Sequence, residues 1–105
     1  MKNAVFGFST TDLEQVRQAL EQALGIVMVL HESMYSGEYY LWQGQESEEI
    51  QLVFNKDPLE GEPFEPEHPQ LGILLYVSFG SDSYASIYPL FSSLPGIHPI
   101  EEVVS

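Results

Sequence analysis

The residues able to do chemistry here are few in kind and many in number. Sixteen Asp and Glu, three His and only three Lys and Arg stand in 105 residues, and cysteine is absent. Without cysteine there are no disulfides, thiolate metal sites or thiol nucleophiles, which suits a reducing cytosol. His31, Glu32, Glu38 and His68 are residue types that ligate metals, yet no HExxH or other recognised ligand spacing is present. Ordinary surface or core histidines are therefore expected, with no metal and no cofactor. Serine catalysis would call for an elbow such as GxSxG, which the chain lacks. Paired carboxylates for acid/base work arise by chance when so many acids share a small surface. No catalytic residue is singled out, and an enzyme is not expected.

What remains is binding chemistry. The formal charge is 3 − 16 = −13, and Lys2, Arg17 and Lys56 are the strong bases. No patch built from three such residues could neutralise a row of phosphates, so nucleic acid and anionic lipid are excluded as direct partners. Solubility alone needs a net charge of only ~2–8 in magnitude, and excess like charge costs stability. A basic protein partner is the economical explanation, since steering would raise its association rate by ~10–10³-fold. The acids concentrate at Glu46, Glu48 and Glu49 and again at Asp57, Glu60, Glu62, Glu65 and Glu67. If the second group folds back over the strand between the two, the acids form one surface; otherwise they flank it.

Aromatic residues give such a surface its anchors. Tyr35, Tyr39, Tyr40 and Trp42 lie close together, and Tyr and Trp combine an apolar body with a polar tip. On a strand, Tyr40 and Trp42 share one face while Tyr39 and Leu41 share the other. Either face can be the core, so packing and partner contact are both open to Tyr39, Tyr40 and Trp42. The acidic stretch also holds two PxxP matches, Pro63 to Pro66 and Pro66 to Pro69, a pattern of polyproline ligands that any Pro-rich loop tends to produce. With one glycine and many acids it is no phosphate cradle.

Positioning these residues falls to one domain spanning 1–105, since the length suits a single modest core and 44% apolar content is enough to fold it. A first strand is read at Asn3 to Phe8. Thr11 with Glu14 forms a capping box for a helix whose apolar stripe runs from Leu13 to Leu24, with Gly25 closing it. Ile26 to Leu30 and Glu38 to Trp42 read as two strands, and Glu49 to Phe54 as a half-buried antiparallel one. Residues 55–70 carry four prolines and five acids, which blocks helix and central strand and marks a functional or mobile loop. Leu71 to Phe79 is a central strand buried on both faces. A second helix follows Ser81, with Pro89 leaving one bent helix or two short pieces open. Ile97 to Val104 supplies a final edge strand. The apolar run near the N-terminus is too short for a signal peptide, and none approaches the ~20 residues of a membrane span. A cytoplasmic location is expected.

The order β-α-β-β-β-β-α-β implies an α+β fold: a mainly antiparallel sheet with two helices on one face, a ferredoxin-like sandwich with an inserted hairpin. The opening βαβββ run also resembles half of a glyoxalase-type module, which would complete a small-molecule or metal site as a homodimer. Monomer and homodimer both stay open. The middle segment, EYYLWQGQESEEIQLVFNKDPLEGEPFEPEHPQLGILLYVSF, sets an aromatic strand, an acidic strand, an acidic Pro loop and an apolar strand in series. In this it resembles the small acidic immunity proteins encoded beside bacterial polymorphic and contact-dependent toxins. That resemblance implies a cytoplasmic, non-enzymatic protein that binds a cognate toxin domain, often a basic nuclease, and blocks its active site or substrate surface. The contacts would come from Glu46, Glu48, Glu49, Asp57, Glu60, Glu62, Glu65 and Glu67, with Tyr39, Tyr40 and Trp42 as anchors.

Overall fold

Alternation along the strands decides which way the sheet faces. Ala4, Phe6 and Phe8 are buried in β1 (Lys2–Phe8), Tyr40 in β3 (Gly37–Gln43), Ile50 and Leu52 in β4 (Glu49–Phe54), and Ile73, Leu75, Val77 and Phe79 in β5 (Ile73–Phe79). A period of two puts all of them on one face. Helices α1 (Leu13–Leu24) and α2 (Ser81–Ser92) cover that face with Leu13, Val16, Leu20, Tyr84 and Phe91. These positions come from a computed structural model that describes residues 2–35, 37–45 and 47–104.

The six strands form one antiparallel sheet in the order β2-β3-β4-β5-β1-β6, with β2 (Val29–Ser33) and β6 (Ile97–Val104) at the edges. The chain is thus α+β. Strands β6, β1, β5 and β4 with the two helices make the ferredoxin-like arrangement, and the β2–β3 hairpin is inserted ahead of β4 and extends the sheet beyond it. Because β5 lies between β1 and β4, the opening βαβββ run does not close into a module of its own.

Several local expectations are corrected by how side chains are used. The cap of α1 is Asp12, whose carboxylate accepts from the Gln15 N–H at 3.1 Å, while the Thr10 hydroxyl accepts from the Asp12 N–H. Glu14 is drawn away from any capping box by Tyr40 and Arg17. Gly25 ends the helix in the left-handed region, φ 67°, with its N–H on the Glu21 carbonyl. Strand β2 starts at Val29 rather than Ile26, because Ile26 and Met28 turn inward to close the core below α1. Helix α2 runs unbroken through Pro89, which sits exposed on its outer side.

The face away from the helices is partly roofed by the loop from Asn55 to Gly72. Asn55 is buried and latches it: its Nδ2 donates to the carbonyls of His68 and Leu71 at 3.1 and 2.8 Å, and its Oδ1 accepts from the Glu65 N–H at 2.9 Å. Leu71 drops onto β1 over Gly7, where a Cβ would come within 2.5 Å of the Leu71 Cδ1. Leu74 and Val53, on this face, are accordingly buried. The three hydrogen bonds of this one side chain join backbone turns within the loop and the bond from the Gly72 N–H to the Phe8 carbonyl in holding it, a pattern that proline content alone does not reveal.

Candidate partner-binding surface

The loop brings one of its acids, Glu65, back toward the sheet. The β3–β4 turn carries Glu48 and Glu49, both half-buried, which line a depression of about 410 Å³ with Gln43, Gly44 and Ser47. Glu46 lies outside the described residues. From the opposite end of β4, the loop folds back over the sheet, and Glu65 approaches Tyr76 in the middle of β5. Burial, with the Glu65 charge as a second cause, pushes the Tyr76 phenol above its usual range. Glu49 and Tyr76 share a second concavity with Asn3, Val5 and Ser78. Glu49 and Glu65 therefore bracket one open face instead of lying on separate surfaces. Glu60, Glu62 and Glu67 stand exposed along the loop.

Asp57 is largely spent on the loop itself. Its Oδ1 accepts from the N–H groups of Leu59 and Glu60, and its backbone bonds to Gly61 and Glu62 close the turn. Tyr40 is corrected outright as a surface anchor. It is 9% exposed, faces the helices, and donates its hydroxyl to Glu14. Arg17 completes the cluster at 2.7 Å from both Glu14 and Glu21, with its guanidinium 5.2 Å from the Tyr40 ring centre. The hydrogen bond from Tyr40, aided by Arg17, holds the Glu14 carboxyl below its ordinary range; the same bond and burial raise the Tyr40 phenol.

Tyr39 and Trp42 retain surface. Tyr39 lies on the open face stacked on His31, with ring centres 5.5 Å apart. Trp42 stacks on Phe79 at 6.0 Å and is half-buried at the rim of the core. Trp42, Val27, Val29, His31, Leu41 and Gln43 line a shallow groove of about 290 Å³ along β2 and β3. The sequence reading missed this groove, although Val27, Val29 and Leu41 were apolar enough to signal it.

Two of the three bases are committed elsewhere, and Lys56 stands exposed at the start of the loop. Arg17 is held by Glu14 and Glu21, and Lys2 pairs with Glu102 while lying over the Tyr84 ring at 4.7 Å. A further groove of about 290 Å³, between the start of α1 and the end of α2, is lined by Phe8, Val16, Leu94 and neighbours without a titratable side chain. Among the described residues, no three His, Asp or Glu converge in a way that could hold a metal ion. No helix among them is long and apolar enough to cross a membrane. No protein-family model and no curated protein matches the chain.

Proposed function

We propose that this chain is a non-enzymatic acidic binding protein of the immunity type, which works in the cytoplasm and neutralises a cognate cationic toxin domain, a nuclease first among the candidates. One observation carries the reading: sixteen acids face three bases, and two of those bases are held in internal ion pairs. The field that remains is negative over the loop and the β3–β4 turn, where it would steer a basic partner and repel nucleic acid. Glu48, Glu49, Glu60, Glu62, Glu65 and Glu67 supply the steering charges. Tyr39 and Trp42 supply apolar contact beside them. Acids fully covered in the complex would fix affinity through Arg pairs, and rim acids would set on-rate and salt dependence.

The test is capture on the immobilised chain from source lysate at low salt, elution with rising salt, and a nuclease assay of the eluted domain with and without the chain. Recovery of a basic domain at a 1:1 ratio, with its activity suppressed by the chain, is the expected result. Recovery of the chain alone, as a dimer carrying metal or a small ligand, would overturn the reading in favour of a ligand-binding module.

A further inference from the structure

The two edges of the sheet are built differently. Strand β6 carries Pro99, a register shift opposite Val5 and Phe6, and the pair Glu101-Glu102, with Lys2 bound to Glu102. Proline, a bulge and charge are the devices that blunt an edge against further pairing. Strand β2 has no proline and no lysine, and it pairs with β3 in unbroken register from Val29↔Leu41 to Ser33↔Gly37. Its outer row of N–H and C=O groups faces away from the sheet. Around it Val27, Val29, Leu30, Met34 and Tyr35 are between 53% and 76% exposed, a concentration of apolar surface within nine residues.

Charge selects what such an edge accepts. Glu32 stands directly opposite Glu38 on one face of the hairpin, both exposed and neither in an ion pair of the described residues. Like charges directly opposite destabilise a strand pair. A second copy of the chain would bring another −13 to this edge and add its own Glu32 and Glu38. A Lys or Arg would relieve the repulsion instead, while an apolar neighbour two residues along would cover Leu30 on the same face.

We infer that β2 is a docking edge that receives an extended segment of a cationic protein as a seventh strand, with a basic residue against Glu32 and Glu38 and an apolar residue against Leu30. The inference rests on the proposed acidic binding role and gives it a geometry. Backbone pairing would supply affinity, and the alternation of basic and apolar side chains would supply selectivity.

A capped synthetic peptide, Thr-Arg-Tyr-Val-Val-Thr-Lys, is the probe, titrated into the isotopically labelled full chain and followed by backbone amide shifts. Saturable shifts confined to residues 27–35, with slowed exchange of β2 amides, are expected. Glu32→Lys should weaken binding at least about tenfold, because it sets like charge against the peptide's Arg. Glu101→Lys, an equal charge change on the other edge, should leave it within about twofold, since only screened long-range charge is altered. Saturable binding that shifts the 57–67 loop instead, or that falls equally with both variants, would overturn the docking edge while leaving an acidic binding protein intact. No saturable shift up to millimolar peptide would also overturn it. Concentration-dependent dimerisation through residues 27–35 would make the edge a self-contact and overturn it too. Failure of the toxin capture, with β2 shifts present, would remove the immunity role alone.

Discussion

Asn55 shows how much one polar side chain decides. It is a buried polar residue with three bonds to loop backbone, so its loss leaves the Leu71 carbonyl and the Glu65 N–H without partners, while the His68 carbonyl keeps only the Leu71 N–H. Asn55→Leu should cost about 2–3 kcal/mol in urea unfolding and expose residues 56–70 to proteolysis. Asn55→Asp should cost more, because a carboxylate would face the carbonyls of His68 and Leu71. Equal loop protection in both variants would show that the prolines hold the loop without the latch. The tyrosines make a second prediction. Burial, with Glu102 and Tyr88 as lesser causes, pushes Tyr84 up to about 12, and Tyr40 and Tyr76 are also raised. A raised phenol contributes stability in full below the unfolded value near 10, and that contribution is lost as pH climbs from about 10 towards 12. The Tyr84 hydroxyl has no hydrogen-bond partner among the described residues, so Tyr84→Phe should be neutral or stabilising by up to about 1 kcal/mol at pH 7. It should also flatten the alkaline decline, read from unfolding free energy and tyrosinate absorbance between pH 9 and about 12. A destabilised Tyr84→Phe would mean that the hydroxyl is bonded in solution.

At the level of elements, Pro89 sets α2 apart. Proline removes the N–H that would bond the Ala85 carbonyl and crowds that carbonyl, but its exposed position keeps the ring out of the core and the helix continues past it. The Ser92 and Ser93 hydroxyls donate to the Tyr88 and Leu90 carbonyls in the turn that follows. Pro89→Ala should therefore stabilise the chain by about 1–3 kcal/mol, seen as a higher denaturant midpoint at unchanged slope. A loss of stability would mean that Pro89 is needed to seat Phe91 against Phe6, whose ring centres lie 5.6 Å apart. Proline content left the continuity of this helix open in the sequence, because the outcome depended on which side of the helix Pro89 faced. The element order and the antiparallel grouping were legible, since β1, β4 and β5 bury alternate apolar residues and α1 carries a helical stripe. Strand β2 was legible only in outline: an edge strand buries little, so apolar content pointed to Ile26 and Met28, which serve the core instead. For the candidate surface, alternation separated Tyr39 from Tyr40 but could not say which met the helices. The fold-back of the acidic loop depended on Asn55, whose partners lie ten to sixteen residues away.

For the whole molecule, charge governs behaviour before any partner arrives. The chain measures 37 × 26 × 25 Å, so at 0.01 M salt, where the screening length is ~30 Å, nearly every carboxylate feels every other. At 1 M that length falls to ~3 Å and only immediate neighbours interact. Salt also weakens the three ion pairs of Lys2 and Arg17, but pairs with this much solvent contact are worth only ~0–1 kcal/mol each. Repulsion among thirteen uncompensated charges is spread over the fold and should outweigh them. The melting temperature should therefore rise by several degrees between 0.01 and 0.5 M sodium chloride, the reverse of a domain held together by surface ion pairs. Glu32→Gln should raise it at low salt and reduce the salt response, since it removes one of two carboxylates set opposite each other. Scanning calorimetry of both proteins across that salt range checks the point. A melting temperature that falls with salt would show that the internal ion pairs dominate and that the charge burden is already relieved within the chain, which would withdraw the main physical reason for expecting a cationic partner.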